Sequence, residues 1–141
     1  MTARKTIYLD FDGVLHPNVL QKGQAFCHMP VLESALAGKS LGIIISSSWR
    51  LHETWEYIEM LFPPSIRGFL NGYTGKAHFG RWSRWNEINE HASKCGVRDW
   101  VALDDYEKGF PPGCTNLIIC DGSIGLQQPQ IADLDEWLER S

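Results

Sequence analysis

Acidic and hydroxyl side chains recur at one kind of place in this sequence, directly after short apolar runs. Asp10 and Asp12 follow the run at 7–9, serines follow the run at 41–45, and Asp104 and Asp105 follow the run at 100–103. Two acids spaced like Asp10 and Asp12 face the same side of an extended chain, where their charges repel unless a cation lies nearby. Mg²⁺ prefers carboxylate oxygens and leaves coordination positions for water and substrate phosphate. The spacing therefore predicts a magnesium site that can bind the phosphate group of a substrate.

The elements that must position these residues are those of a parallel α/β fold. Short apolar runs alternate with helical patterns, which is typical of that class. The sequence predicts strands at 7–9, 41–45, 100–103 and 116–120, and helices at 31–36, about 50–61, 82–94 and 131–138. Ligand sites of open parallel sheets lie outside the carboxyl ends of the strands, so the acids should meet at one edge.

Prolines, glycines and serines set the predicted boundaries. Pro30 suits the first turn of the first helix, and the serines at 46–48 can cap the second. The pair Pro63-Pro64 should end the second helix, and Gly96 should end the third. Residues 66–75 are expected to be rich in loops, with room for one short strand. No linker or repeat divides the chain, so we expect a single domain over residues 1–141.

The run Y-L-D-F-D-G-V-L-H-P at residues 8–17 resembles the first motif of haloacid dehalogenase-like (HAD) phosphatases, D-x-D-G. The resemblance implies that Asp10 is a nucleophile that forms an aspartyl-phosphate. It implies that Asp12 is the general acid and base, and that both acids take part in binding Mg²⁺. Gly13 permits a tight turn and a close approach of the main chain to a ligand, so we expect it in the substrate site. His16 sits just past this motif and is expected to be a solvent-facing turn residue or a substrate contact.

Two further motifs of the same family supply the groups that hold the phosphate. Its second motif is a Ser or Thr after the next strand, which the run I-S-S-S-W-R resembles; Ser47 is preferred and Ser46 is the alternative. Its third motif is a basic residue. The run R-W-N-E-I has the spacing of the family, which favours Arg84 as the basic residue, with Arg81 and Lys76 as alternatives.

The fourth motif is acidic, and V-A-L-D-D resembles it. The resemblance implies that Asp104 and Asp105 complete the metal site, one binding Mg²⁺ directly and the other orienting a neighbouring group. We prefer Asp104 for the direct role, and the order of the two stays open. Asp121 is left outside the site because it suits a cap of the turn at Gly122-Ser123.

Taken together, the motifs most resemble the HAD domains associated with bacterial RNA repair ("Swiss Army Knife") proteins. This implies a three-layer, Rossmann-like parallel sheet and phosphate removal from nucleic-acid ends. Only 33 residues separate Asp12 from Ser46, and 35 separate Ser48 from Arg84, so neither gap holds a separate cap domain. An open site of this kind suits the end of a large phosphorylated substrate.

The expected function is that of an enzyme, a magnesium-dependent phosphohydrolase acting on phosphate monoesters. The alternative is a non-catalytic phosphate- or metal-binding module on the same fold. A net charge of −4 argues against a protein that coats nucleic acid non-specifically. The absence of a signal-peptide pattern and of an apolar run of about 20 residues predicts a cytoplasmic protein with no membrane partner. We expect its four cysteines to be reduced and mostly buried; its oligomeric state stays open.

Overall fold

The computed structural model describes residues 4–140, which form a parallel sheet with helices on both faces. The strands are β1 (Thr6–Leu9), β2 (Gly42–Ile45), β3 (Leu70–Tyr73), β4 (Trp100–Asp104) and β5 (Leu117–Ile119). The α-helices are α1 (Met29–Leu36), α2 (Trp55–Met60), α3 (Pro64–Arg67), α4 (Ser83–Cys95) and α5 (Gln128–Glu139). Two short 3₁₀ helices, Ser48–Leu51 and Glu107–Gly109, follow β2 and β4.

The strands lie in the order β3-β2-β1-β4-β5, and all neighbouring pairs are parallel. Successive residues of a strand face opposite sides of a sheet, so the central strand β1 feeds two cores. Ile7 and Leu9 pack on one side, with α1, α3 and α5. Tyr8 packs on the other side, with Ile88 and Ala92 of α4. The result is the predicted three-layer α/β fold, and the described residues form no separate cap.

The prediction of a second helix at about 50–61 is wrong for the first half of that range. Residues 48–51 form a single 3₁₀ turn instead, and α2 begins only at Trp55. The reason is that the chain has two capping side chains here: Ser47 accepts the N–H of Trp49, and Thr54 accepts the N–H of Tyr57. The break leaves Trp49 and Arg50 on a turn directly beside the sheet edge.

The other boundaries agree with the prediction to within about three residues. Pro30 lies in the first turn of α1, and Gly96 ends α4 in the left-handed conformation at φ 70°. Pro64 starts the short helix α3, which the sequence did not predict, and β3 is the one strand in residues 66–75. The cysteines are free, but Cys27 and Cys95 are exposed, so the expectation of mostly buried thiols was wrong. Among residues 4–140, no helix has both the length and the apolar character to cross a membrane.

Candidate active site

The register of the sheet places polar residues from neighbouring strands on one level of its carboxyl edge. Leu9 of β1 pairs with Ile45 of β2 and with Leu103 of β4. The next residue on each strand is therefore Asp10, Ser46 or Asp104, and these three stand side by side. This row is the site that the strand-end pattern predicted.

Buried polar atoms without a hydrogen-bond partner gather on this row. Within residues 4–140 they are Ser46 Oγ, Thr74 Oγ1 and Asp104 Oδ2. Thr74 belongs to the same row because Tyr73 of β3 pairs with Ile45. A buried polar group that lacks a hydrogen-bond partner is costly, so the concentration of such groups at one edge makes this edge the candidate ligand site.

Three carboxylates form the acidic part of the site. Oxygens of Asp10, Asp104 and Asp105 all lie within 4.8 Å of one another. Burial raises the pKa of Asp10 well above its usual range, and the neighbouring charge of Asp104 raises it further. Burial also raises the pKa of Asp104, although Arg84 and the N–H of Tyr106 work against that shift. The protein thus holds acidic groups close together at a cost that a bound cation would remove.

Arg84, from the first turn of α4, is the basic group in contact with these acids. Its Nη1 lies 3.1 Å from Asp104 Oδ2 and 3.5 Å from Asp10 Oδ1, and it donates a 2.7 Å hydrogen bond to the carbonyl of Ser46. The contact with Asp104 Oδ2 is an ion pair whose angles do not make a hydrogen bond. Burial would lower the pKa of Arg84, but the carboxylates of Asp104 and Asp10 outweigh it and raise that pKa.

Arg50 and Glu87 are both buried, and their hydrogen bonds stabilise the main chain and the side chains around the site. Arg50 donates to the carbonyls of Ser46 and Ser47 after β2, and to those of Thr74 and Gly75 after β3. Its Nη2 also donates a 2.9 Å hydrogen bond to Glu87 Oε1, which lies 3.9 Å from Arg84 Nε. These contacts fix the ends of β2 and β3 and the candidate catalytic residue Arg84 relative to one another.

Asp12 does not join the acidic cluster among the residues described. His16 Nε2 lies 2.7 Å from its Oδ1, and Trp49 Nε1 donates a 3.2 Å hydrogen bond to its Oδ2. The Asp12 side chain is 43% exposed, whereas that of His16 is fully buried. The expectation that His16 faces solvent was therefore wrong. The predicted part of Asp12 in metal binding stays a prediction.

The turn after Asp12 encloses Asp105. Gly13 adopts φ +80°, and a Cβ at this position would lie 2.2 Å from Asp105 Oδ2. Asn18 donates a 2.8 Å hydrogen bond from Nδ2 to the same oxygen. Asp105 is thus oriented by the segment that carries the first motif.

Comparison with known proteins identifies the fold family. The model of the HAD domain in Swiss Army Knife RNA repair proteins matches residues 6–131, most of the chain. This chain belongs to that HAD domain family. No curated protein and no solved structure gives a significant match.

The charges of this HAD domain fit a divalent cation. Asp10, Asp104, Asp105 and Glu87 carry four formal negative charges, against two positive charges on Arg50 and Arg84. The acids of the site therefore exceed its bases, and carboxylates are the ligands that Mg²⁺ prefers. The three clustered aspartates are the residues that would hold it, and the order of Asp104 and Asp105 stays a prediction.

The alternatives left open by the sequence occupy different surroundings in the HAD domain. Lys76 and Arg81 are exposed, and the Arg81 guanidinium lies over the ring of Trp82, so Arg84 is the candidate that the fold brings to the acids. Ser47 uses its oxygen to cap Trp49, whereas the Ser46 hydroxyl has no partner. Both serine hydroxyls can still donate, and the choice between them stays a prediction.

Several residues of the HAD domain site were not singled out from the sequence as site residues. They are Asn18, Trp49, Arg50 and Glu87. His16 was expected as a turn residue or a substrate contact, and its contact with Asp12 was not predicted. Arg50 and Glu87 lie inside the runs I-S-S-S-W-R and R-W-N-E-I, so buried charged residues next to motif residues were the available signal. Asn18 gave none, because its partner Asp105 is 87 positions away in the chain.

Proposed function

We propose that this HAD domain is a magnesium-dependent phosphohydrolase that cleaves phosphate monoesters through an aspartyl-phosphate on Asp10. The observation that carries the proposal is the contact of Arg84 with both Asp10 and Asp104 inside a three-carboxylate cluster. Crowded, buried acids with raised pKa values and one embedded cationic group are characteristic of catalytic sites.

Asp10 and Asp12 divide the chemistry between them. A carboxylate oxygen of Asp10 attacks phosphorus, the bond from phosphorus to the leaving oxygen breaks, and the proton of Asp12 passes to that oxygen. Asp12, now a carboxylate, then takes a proton from water. The water oxygen attacks the phosphorus, and the bond to Asp10 breaks to release phosphate and the free Asp10 carboxylate. Asp12 suits this exchange because its side chain is 43% exposed and so has access to water.

The remaining residues stabilise the charge on the phosphoryl group. Arg84 and the hydroxyl of Ser46 or Ser47 present donors beside Asp10, and fixed donors in a partly dry site stabilise developing charge efficiently. Bound Mg²⁺ would supply further neutralisation of the phosphoryl oxygens and of the clustered acids. Gly13 lets the main chain approach the same space.

For the substrate class, we propose the phosphorylated end of a large molecule, with a nucleic-acid end preferred. The matched family is described by its occurrence in RNA repair proteins, which supports this class. The absence of a cap over the described sheet edge also supports it, since nothing in the fold encloses a small metabolite.

The test is hydrolysis of p-nitrophenyl phosphate with Mg²⁺ by wild type, Asp10→Asn and Asp121→Asn. Loss of the nucleophile should lower turnover by at least about a thousandfold. Asp121 also follows a strand, but it is exposed and accepts hydrogen bonds from Ser123, so its variant should keep wild-type activity. Acid quenching during turnover of a radiolabelled substrate should trap a hydroxylamine-sensitive phosphoryl group on wild type and on Asp121→Asn, but not on Asp10→Asn.

Magnesium binding is measured separately from turnover by thermal unfolding. Mg²⁺ should raise the unfolding temperature of wild type and of Asp121→Asn, and should have a much smaller effect on Asp104→Asn. Stabilisation by Mg²⁺ without turnover of any phosphate ester would overturn the enzyme proposal in favour of a binding module. Full activity of Asp10→Asn would overturn the role of Asp10.

A further inference from the structure

Two ring N–H groups hold the Asp12 carboxylate, one on each oxygen. His16 Nε2 lies 2.7 Å from Oδ1, and Trp49 Nε1 lies 3.2 Å from Oδ2. His16 comes from the turn after β1, and Trp49 comes from the 3₁₀ helix after β2. The two donors therefore reach Asp12 from different elements.

The main chain fixes which nitrogen of His16 carries the hydrogen. The N–H of Phe26 donates a 3.1 Å hydrogen bond to His16 Nδ1. Because a backbone N–H can only donate, Nδ1 must be the acceptor, and the hydrogen of the neutral ring must be on Nε2. The indole nitrogen of Trp49 can also only donate. Both contacts are thus N–H donors, one to each carboxyl oxygen of Asp12.

Aromatic packing holds these two donors in place. The ring of Phe26 packs edge-on against His16 at 4.8 Å and against Trp49 at 5.2 Å, and Phe11 packs against Trp49 at 5.5 Å. Phe26 also adopts φ 55°, a conformation that non-glycine residues rarely keep unless their surroundings impose it. The left-handed conformation of Phe26 has a conformational energy cost. It lets the Phe26 ring pack on His16 and Trp49, which keeps their N–H groups directed toward Asp12.

We propose that His16 and Trp49 are positioning residues that hold the Asp12 carboxyl group in the orientation needed to pass its proton to the leaving group. The inference rests on the proposed function, in which Asp12 gives its proton to the leaving oxygen as the phosphorus–oxygen bond breaks. One N–H on each oxygen, from two different elements, limits rotation of the Asp12 carboxyl group. Proton transfer needs the donor oxygen within hydrogen-bond distance of the leaving oxygen, so a fixed orientation favours that step.

The proposal predicts a dependence on the leaving group. A p-nitrophenolate ion departs without a proton, whereas an alkoxide from glycerol 2-phosphate needs one. Weakening the donors should therefore slow the alkyl ester much more than the aryl ester. A merely structural role would slow both esters by the same factor.

The experiment compares Trp49→Phe with the matched control Trp55→Phe on both esters in the presence of Mg²⁺. Trp49→Phe keeps an aromatic ring and removes the N–H; Trp55 is also half-buried and packs on Tyr73, away from Asp12. We expect Trp49→Phe to lower kcat/KM for glycerol 2-phosphate by roughly tenfold or more, the usual effect of one hydrogen bond to a charged group, and for p-nitrophenyl phosphate by less than about threefold. Trp55→Phe should change neither ester by more than about twofold.

Two further measurements keep the proposal testable if a variant is unstable. His16→Gln retains an N–H donor and should keep more of the alkyl-ester activity than His16→Leu. Independently of turnover, the indole N–H of Trp49 should exchange with solvent faster in Asp12→Ala than in wild type, as followed by NMR.

Equal losses on both esters, or no loss on either, would overturn the role of Trp49 while leaving the proposed function standing. If wild type hydrolyses neither ester, the proposed function itself fails, and this inference falls with it. Unchanged indole exchange in Asp12→Ala would also overturn the inference, because the hydrogen bond would then not exist in solution.

Discussion

At the scale of single residues, the side chain of Asp105 lies so close to Gly13 that any side chain at position 13 would collide with it. Gly13 and Gly23 have nearly the same left-handed backbone, with φ of +80° and +82°. A Cβ on Gly23 would meet nothing within 4 Å, whereas one on Gly13 would lie 2.2 Å from Asp105 Oδ2 and 2.8 Å from Asn18 Oδ1. The two glycines therefore share the conformational requirement and differ only in their neighbours.

We predict that Gly13→Ala abolishes stabilisation by Mg²⁺ and lowers turnover at least about a hundredfold, because the new methyl group displaces Asp105 from the acidic cluster. Gly23→Ala should cost about 1 kcal/mol of unfolding free energy from backbone strain alone and leave the response to Mg²⁺ intact. Chemical denaturation and thermal unfolding with and without Mg²⁺ measure both effects. Equal responses to Mg²⁺ in the two variants would show that Asp105 does not depend on Gly13.

Secondary-structure elements meet at Arg50, which connects the ends of β2 and β3 to helix α4. The Arg50 guanidinium donates to carbonyls at both strand ends and to Glu87. Burial lowers the pKa of Arg50, but Glu87 offsets part of that effect. A planar group with five donors can serve all these acceptors at once, and a lysine ammonium cannot.

Arg50→Lys should therefore reduce the free energy of unfolding by about 2–4 kcal/mol, as carbonyls and a buried carboxylate lose partners. Arg67 is a suitable control because its guanidinium donates to one carbonyl, that of Phe62, outside the site. Arg67→Lys should cost about 1 kcal/mol or less. Urea denaturation of both variants tests this difference, and equal losses would contradict the bracing role of Arg50.

At the scale of the whole molecule, the fold leaves the carboxyl edge of the sheet without a cap. All of the helices among the described residues pack on the faces of the sheet or connect its strands. On our proposal, the binding energy that a cap would supply comes instead from a large substrate that extends over the loops around this edge.

We predict that kcat/KM for a terminally phosphorylated oligonucleotide exceeds that for the corresponding mononucleotide by about tenfold or more. The measurement is phosphate release from both substrates at low ionic strength and again at 0.2 M salt. A control oligonucleotide without the terminal phosphate should release none. A preference for the mononucleotide or for a small sugar phosphate would contradict the proposed substrate class.

The sequence by itself determined the fold class and the edge of the sheet at which the candidate site lies. Apolar runs ending in Asp10, Ser46 and Asp104 predict parallel strands, and parallel strands must present their carboxyl ends at one edge. These inferences depend on periodicity and chain order, which are local properties. The same local signals misplaced one element, since a helix pattern over 50–61 did not reveal the competing caps at Ser47 and Thr54.

Only the tertiary structure decided which basic residue meets the acids and what surrounds Asp12. The spacing of R-W-N-E-I favoured Arg84 but left Lys76 and Arg81 as alternatives, and the docking of α4 against the sheet is what brings Arg84 to Asp10. Likewise, His16 and Trp49 are 33 positions apart in the chain, yet both hold Asp12. Contacts between residues distant in sequence follow from packing and strand register, because no local preference of either residue encodes its partner.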